Sequence, residues 1–193
     1  MLHDIGKVFI DDKILQKPGP LSDEEYKIMQ SHTELGFNYL RENTNLPSVI
    51  AHCAYQHHER LDGSGYPRQL VGDEIHIYAQ VISIADVFDA VTNDRVYRKA
   101  LLPHQGLEIL LADAVYKFDP HLVEAFKKAI VLYPNGISVD LSDGRSGVVA
   151  RQNNHLCDRP IVRILKEQGI EVDPYEVDLS KHSNIVVENC YME

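Results

Sequence analysis

The chain has 193 residues, which is enough for one domain with a full core or for one domain with a small appendage. Its 44% hydrophobic and 25% charged residues are ordinary for a soluble protein, and it has neither a signal-peptide pattern nor an apolar run near the ~20 residues of a membrane span. The net charge of −10 argues against binding to DNA or RNA, and three separated cysteines argue against a disulfide framework, so we expect a reducing cytoplasm.

Helical patterns fill the first two-thirds of the chain. Ser22 and Glu25 form a capping box, and apolar residues at helical spacing predict that this helix continues to about residue 41. Further helices are predicted over about 47–58, 78–91, 104–115 and 120–132. The apolar face of the 78–91 segment is wide, so we expect that helix to be buried.

The pattern changes after the turn sequence YPNG, residues 133–136. Short β-prone runs follow, which are GISVDL, SGVVAR, RPIVRIL and SNIVVEN, and turn-forming segments such as Asp173-Pro174 separate them. We therefore expect a mainly α fold over residues 1–134, followed by a small β-rich extension over residues 135–193.

Residue types that bind metals recur along the helical part of the chain. They are the pair His3-Asp4, His32, the pair His57-His58, and Asp86. A single histidine such as His32 is more often a surface or hydrogen-bonded residue than a ligand, and the remaining histidines are interpreted in this way. Asp86 lies in an apolar segment, where a carboxylate is costly to bury unless a positive group pairs with it.

The adjacent histidines restrict the chemistry. Neighbours on a helix point about 100° apart, so His57 and His58 reach two metals, or one metal and a substrate, more readily than a single ion. Imidazoles and carboxylates without thiolates suit iron, manganese or zinc better than magnesium. Two such ions ~3.5–4 Å apart form a clamp for the hydrolysis of a phosphate ester.

Five segments together resemble the HD-GYP family of bacterial phosphodiesterases. They are HDIGK (3–7), ILQKPGPLSDEE (14–25), SHTELG (31–36), HHERLDGSGYP (57–67) and ISIADVFDAVTNDRVYRKA (82–100). The extended HHExxDGxGYP string is highly specific, and the resemblance covers about residues 1–134. It implies an HD-domain helical bundle that hydrolyses cyclic di-GMP to pGpG or GMP with two or three iron or manganese ions. Some relatives prefer cyclic GMP-AMP.

The resemblance also assigns roles to single residues. Lys7 would contact the scissile phosphate or assist the leaving oxygen, and Asp4 would bridge two ions. Arg95 and Arg98 would contact the cyclic dinucleotide, since a guanidinium suits both phosphate oxygens and guanine edges. The metal ligands implied are His3, Asp4, His32, His57, His58 and Asp86.

The GYP loop is implied to act in specificity and partner contact, and diguanylate cyclase domains are the implied protein partner. Its named residues are Gly63, Gly65, Tyr66 and Pro67. Glu59 and Asp62 either orient His57 and His58 or stabilise the turn. The β-rich extension resembles the tail of many such domains and is expected to serve packing or homodimer formation.

The sequence departs from the family before His3. Family members carry about two helices ahead of the HD pair, with a further histidine and, in a trinuclear subset, a glutamate ligand. If these 193 residues are the whole protein, we expect an incomplete shell at one metal position and weak or lost activity. We also expect an exposed apolar patch around Ile5, Val8 and the helix of Asp86. Two alternatives stay open: a module that binds a dinucleotide or protein without turnover, and an HD-type nucleotide phosphohydrolase, which would lack the extended HHExxDGxGYP string.

Overall fold

The structure is a computed structural model that describes residues 2–43, 45–93, 100–153 and 156–191. The chain divides into two compact units. The helical unit comprises Met1–Ala100 and Ile109–Val123, and the sheet unit comprises Leu101–Glu108 and Glu124–Glu193.

Seven α-helices form within the described residues. They are α1 (Asp12–Leu15), α2 (Asp23–Gln30), α3 (His32–Asn43), α4 (Ser48–Gln56), α5 (Ile77–Thr92), α6 (Pro103–Asp113) and α7 (Pro120–Ala129). Short 3-10 helices cover Leu2–Phe9, Gly72–Glu74 and Leu179–Lys181. The last four predicted helices correspond to α4 through α7, and their observed ends lie within three residues of the predicted ends.

The helix predicted from the capping box is interrupted at Ser31. The capping box itself is confirmed, because Ser22 Oγ accepts from the Glu25 amide and the Glu25 carboxylate accepts from the Ser22 amide. The prediction of one continuous helix is wrong. Ser31 Oγ donates to the Ile28 carbonyl at 2.6 Å, a local bond that competes with regular helix, and a new helix begins at His32.

The apolar core of the helical unit is divided into small clusters. Leu40, Ala51 and Ala54 form one of them, and Ile5 packs against it. Ile5 is therefore not part of an exposed patch, whereas Val8 is 69% exposed, as predicted.

Helix α5 buries a narrow face, so the prediction of a buried helix is wrong. Its buried residues are Ala79, Ser83 and Ile84. On the predicted apolar face, Ile84 is buried, Ala85 and Phe88 are half-buried and Val81 is 47% exposed, so that face is buried only in part.

The sheet unit contains a five-stranded antiparallel sheet in the order β4-β3-β2-β1-β5. The strands are β1 (Ser138–Leu141), β2 (Arg145–Arg151), β3 (Ile161–Glu167), β4 (Ile170–Asp178) and β5 (Val187–Tyr191). The four predicted runs overlap β1, β2, β3 and β5. Strand β4 was missed because it contains Asp173-Pro174, which the sequence analysis interpreted as a turn.

Pro174 is tolerated in β4 for two reasons. The strand lies at the edge of the sheet, and its register with β3 shifts between the Ile164–Tyr175 and Lys166–Glu171 pairs. Proline occurs in sheets at such edges and bulges, because the missing N–H is not needed there.

The predicted fold class, mainly α with a small β-rich C-terminal part, is confirmed by this arrangement. In the described ranges, no helix has the length and hydropathy that crossing a bilayer requires.

Candidate metal centre

Four elements of the helical unit bring imidazoles and carboxylates together. The Leu2–Phe9 3-10 helix carries His3 and Asp4, the N-terminus of α3 carries His32, and α5 carries Asp86. The C-terminal end of α4 leads directly into the pair His57-His58.

Gly6 allows the first of these elements to approach α3 closely. A Cβ atom on Gly6 would lie 1.9 Å from the His32 carbonyl oxygen, which is far inside van der Waals contact. The glycine of the HDIGK motif therefore places His3 and Asp4 beside His32.

A first group of possible metal ligands consists of Asp4, His32, His57 and His58. One ligand atom from each lies within 4.8 Å of the others. Asp4 Oδ1 is 3.4 Å from His32 Nε2 and 3.7 Å from His57 Nε2. His32 and His57 are almost completely buried, so their nitrogens face the site and not solvent.

Hydrogen bonds fix which nitrogen of His32 and His57 is free. His32 Nδ1 lies 2.7 Å from the Met29 carbonyl oxygen, and His57 Nδ1 lies 2.9 Å from that of Ala54. A carbonyl can only accept, so each Nδ1 carries a proton and Nε2 is the nitrogen left to face the site. These two Nε2 atoms face each other at 3.4 Å. Either a shared proton or a metal cation satisfies two ring nitrogens that face each other at this distance.

A second group shares Asp4 with the first. It contains His3, Asp4 and Asp86. His3 Nε2 lies 3.4 Å from Asp4 Oδ2 and 3.7 Å from Asp86 Oδ1, while His58 Nδ1 lies 3.9 Å from Asp86 Oδ2. One oxygen of Asp4 thus faces the first group and the other faces the second, which is the geometry of a bridging carboxylate.

The residues present fit divalent metal ions. Asp4 Oδ1 and His3 Nδ1 are buried without a hydrogen-bond partner among the described residues. Such orphaned polar atoms are rare in native proteins and indicate a bound group. The protonated Nδ1 atoms of His32 and His57 also match the usual arrangement of metal-binding histidines, which donate their other N–H to a carbonyl.

The electrostatics of the site favour neutral imidazoles and ionised carboxylates. Burial lowers the pKa of His32, and burial with nearby His57 lowers the pKa of His58 to about 2. Burial acts to raise the pKa values of Asp4 and Asp86, but neighbouring side chains, His3 in both cases, outweigh it and hold both values below their usual range. These are the protonation states that bind metals.

His3 behaves differently from the other histidines. Its hydrogen bonds to Asp4 and Asp86 raise its pKa to about 9. In the absence of a metal its imidazole is therefore protonated at neutral pH, and a metal ion at this position would displace a proton.

Lys7 lies at the rim of the cluster. Its Nζ donates to Asp4 Oδ2 at 2.6 Å, one turn along the same 3-10 helix. Arg95 and Arg98, the residues assigned to dinucleotide contact, lie outside the described residues.

The GYP loop is tied back to the end of α4. Glu59 is 2% exposed, and its carboxylate accepts from the backbone N–H groups of Arg68 and Leu70 at 2.7 and 3.0 Å. Asp62 accepts from both the amide and the hydroxyl of Ser64. Of the two alternatives left open for Glu59 and Asp62, their contacts match stabilisation of the turn.

Tyr66 packs directly on the cluster of candidate metal ligands. Its ring stacks on that of His58 with centroids 4.6 Å apart and planes inclined by 26°. Gly65 permits this approach, because a Cβ there would lie 2.5 Å from the His58 carbonyl oxygen. Tyr66 is thus a neighbour of a candidate ligand, a contact that the sequence analysis did not predict.

Several remaining histidines have ordinary structural contacts. His52 packs against Phe37, His76 caps α5, and His104 Nδ1 lies 2.6 Å from the Tyr133 hydroxyl. The interpretation of these residues as structural agrees with the contacts described.

Residues 1–122 match the family model of the HD domain. The chain belongs to this family, and its relatives place it in the HD-GYP branch that the motifs indicated.

The similar proteins are named as cyclic dinucleotide phosphodiesterases. The chain is 37% identical to the cyclic di-GMP phosphodiesterase PA4108 of Pseudomonas aeruginosa, over 94% of this chain and 44% of that protein. It is 47% identical to the 3'3'-cGAMP-specific phosphodiesterase 2 of Vibrio cholerae, over 64% of this chain and 24% of that protein. The chain thus spans less than half the length of both relatives.

A solved structure has the same fold. It is Bd1817, an HDG"Y"P protein from Bdellovibrio bacteriovorus, with a TM-score of 0.50 and 19% identity, over 63% of this chain and 38% of that one.

Proposed function

We propose that this chain is the catalytic part of a metal-dependent phosphodiesterase that hydrolyses cyclic di-GMP to pGpG and GMP in the cytoplasm. Residues 1–134 would form the phosphohydrolase domain, and residues 135–193 a β-rich extension. The observation that carries the proposal is the pair of buried Nε2 atoms of His32 and His57, 3.4 Å apart and close to Asp4 Oδ1, which has no hydrogen-bond partner among the described residues.

The two ligand groups support a centre for at least two ions. His32, His57 and His58 would hold one ion and His3 with Asp86 another, and Asp4 would bridge them. We propose two or three iron or manganese ions, because the donors are imidazoles and carboxylates without thiolates. Bound ions would supply Lewis-acid activation of water and neutralise charge developing on phosphorus.

The chain's own residues would orient the substrate. Lys7 is held by Asp4 at 2.6 Å, so its ammonium is available to a phosphate oxygen beside the ligands. Arg95 and Arg98 would contact the dinucleotide. We favour cyclic di-GMP over cyclic GMP-AMP because the relative that aligns with 94% of the chain is named for cyclic di-GMP.

The proposal is tested with the purified chain, stripped of metal by a chelator and then reloaded with Mn²⁺ or Fe²⁺. Chromatography of the products should show metal-dependent release of pGpG or GMP from cyclic di-GMP. Asp4→Ala and His58→Ala should each reduce the rate by more than about 100-fold, since loss of a ligand should exceed the 10- to 100-fold cost of losing a residue that merely supports one.

A matched control is available in the sheet unit. His104→Gln alters a partly buried histidine that is bonded to Tyr133, and it should leave the rate unchanged. Full activity in the metal-stripped sample would contradict the proposal. Binding of cyclic di-GMP without turnover in the reloaded chain would favour the alternative of a binding module.

A further inference from the structure

Arg60 lies immediately after the ligand-bearing end of α4, and its guanidinium bonds to three neutral oxygens. Nη1 donates to the Ser83 hydroxyl at 2.6 Å, to the Glu59 carbonyl at 2.8 Å and to the His57 carbonyl at 3.2 Å. The guanidinium carbon also lies 5.2 Å from the centre of the Phe118 ring. The side chain is thus held at several points although it is only partly buried.

This environment is unusual for an arginine. Placing a charge in a partly buried site costs free energy unless a partner compensates it. Here the compensation comes from the carbonyl of His57, which caps the C-terminal end of α4 where the helix dipole is negative, from the carbonyl of Glu59 in the turn that follows, and from the face of an aromatic ring. All three bonds come from the single nitrogen Nη1, which thereby joins the backbone that follows α4 to a side chain of α5.

The segments that Arg60 joins are those that carry the candidate ligands. The carbonyls of His57 and Glu59 flank His58, and Ser83 lies on α5 three residues before Asp86. Residues three apart on a helix share a face, so Ser83 and Asp86 move together with α5. Across this junction His58 Nδ1 and Asp86 Oδ2 face each other at 3.9 Å.

We propose that Arg60 is a positioning residue that sets the spacing between the end of α4 and α5, with Ser83 as its anchor on α5. Through this contact it holds His58 and Asp86 at the separation that a divalent metal ion requires. The inference rests on the metal centre of the proposed function, and it assigns a role to two residues that lie outside the candidate ligand groups.

The test measures Mn²⁺ affinity by calorimetry on the chelator-stripped chain, with no substrate present. Arg60→Gln should weaken Mn²⁺ binding about 10- to 100-fold, the range typical for loss of a residue that orients a ligand. Arg60→Lys should also weaken binding, because an ammonium lacks the planar group that lies over the Phe118 ring. Ser83→Ala should weaken it in the same direction but less, since the two carbonyl contacts remain.

Arg41→Gln is the matched control. Arg41 also places its guanidinium over a ring, 5.3 Å from the centre of Phe37, but it is exposed and paired with Glu42. It should leave Mn²⁺ affinity unchanged. The electron paramagnetic resonance spectrum of bound Mn²⁺ should change shape in Arg60→Gln and remain native in Arg41→Gln, because the spectrum reports ligand geometry.

Thermal unfolding of each metal-free variant separates positioning from simple stability. The inference would be overturned if the Arg60→Gln variant unfolds at a lower temperature but binds Mn²⁺ with wild-type affinity. If Arg60→Gln does not fold, Ser83→Ala decides, and native Mn²⁺ affinity in that variant would overturn the inference. A wild-type chain that binds no Mn²⁺ would overturn the proposed function itself, and this inference with it.

Discussion

Polar side chains are buried in the helical unit and are nearly excluded from the interior of the sheet unit. Within the described residues, the buried polar or charged side chains are His32, Thr33, Gln56, His57, Glu59 and Ser83, and all of them lie in the helical unit. The sheet unit buries apolar residues such as Val162, Ile164 and Leu179, and its buried Tyr133 hydroxyl is paired with His104.

The two units also differ in whether their polar groups are satisfied. In the sheet unit, Arg145 donates to Asp143 at 2.6 Å and to the Tyr175 hydroxyl at 3.3 Å, so these three polar side chains satisfy one another. In the helical unit, Asp4 Oδ1 and His3 Nδ1 have no partner among the described residues. A buried polar group without a partner costs stability. Among the described residues, the buried side-chain atoms without a partner therefore lie in the helical unit and not in the sheet unit.

The largest expected effects come from two glycines, one in each unit. A Cβ on Gly6 would lie 1.9 Å from the His32 carbonyl oxygen, and one on Gly147 would lie 2.0 Å from that of Arg163. Both alanine variants should lose at least about 1–3 kcal/mol of unfolding free energy, measured with urea, because backbone must move to admit the methyl group. Gly6→Ala alone should abolish Mn²⁺ binding, since the shift separates Asp4 from His32.

These two variants test whether metal binding depends on the helical unit alone. Calorimetry under conditions where each variant is folded, as judged by circular dichroism, separates binding from stability. Loss of Mn²⁺ binding in Gly147→Ala would show that the sheet unit is needed for the site. Retention of Mn²⁺ binding in Gly6→Ala would show that the site does not need the close approach of the Leu2–Phe9 helix to α3.

A smaller effect is expected from the tyrosine of the GYP loop. Aromatic stacking is worth about 0.5–1.5 kcal/mol, so Tyr66→Ala should weaken Mn²⁺ binding about 2- to 12-fold by freeing the His58 ring. Tyr66→Phe keeps the ring and should bind nearly as the wild type does. Tyr191→Ala, which removes a half-exposed ring in the sheet unit, should have no effect. Equal losses in the alanine and phenylalanine variants would show that the hydroxyl, and not the stacking, supports the site.

The sequence predicted the candidate metal ligands better than the residues that hold those ligands in position. His3, Asp4, His32, His57, His58 and Asp86 were identified by residue type and motif, and the structure brings their ligand atoms into two adjoining groups. Their assignment as ligands stays a prediction. Arg60 and Ser83 were not identified, because their contact joins positions 23 residues apart and no local periodicity reports it.

The wrong predictions of secondary structure and burial also come from contacts that local sequence patterns do not report. The apolar face of α5 indicated burial, but burial depends on which elements pack against that face, and sequence spacing does not contain this information. Pro174 indicated a turn, but at a sheet edge with a register shift it fits within a strand. The break at Ser31 depends on a single side-chain bond to Ile28. Local sequence patterns predicted most helices and strands, whereas these three features depend on specific contacts within the folded chain.

The smallest expected effect is the pH dependence of the metal-free chain, and it should again distinguish the two units. Contacts with Asp4 and Asp86 raise the pKa of His3 to about 9, above the ~6.5 of an unfolded histidine. Protonated His3 therefore stabilises the folded state fully below about pH 6.5, and this contribution is lost as the pH rises through about 9.

His58 acts with the opposite sign and in a different pH range. Burial, with nearby His57, lowers its pKa to about 2, so below about pH 6.5 the unfolded chain takes up a proton at this residue that the folded chain does not. The unfolding temperature of the chelator-stripped chain should consequently be highest near pH 6.5 and fall on both sides. His3→Gln should remove the decline between pH 6.5 and 9. A decline that persists in His3→Gln would place its origin outside the Asp4–His3–Asp86 group, and the pH response would then no longer separate the two units.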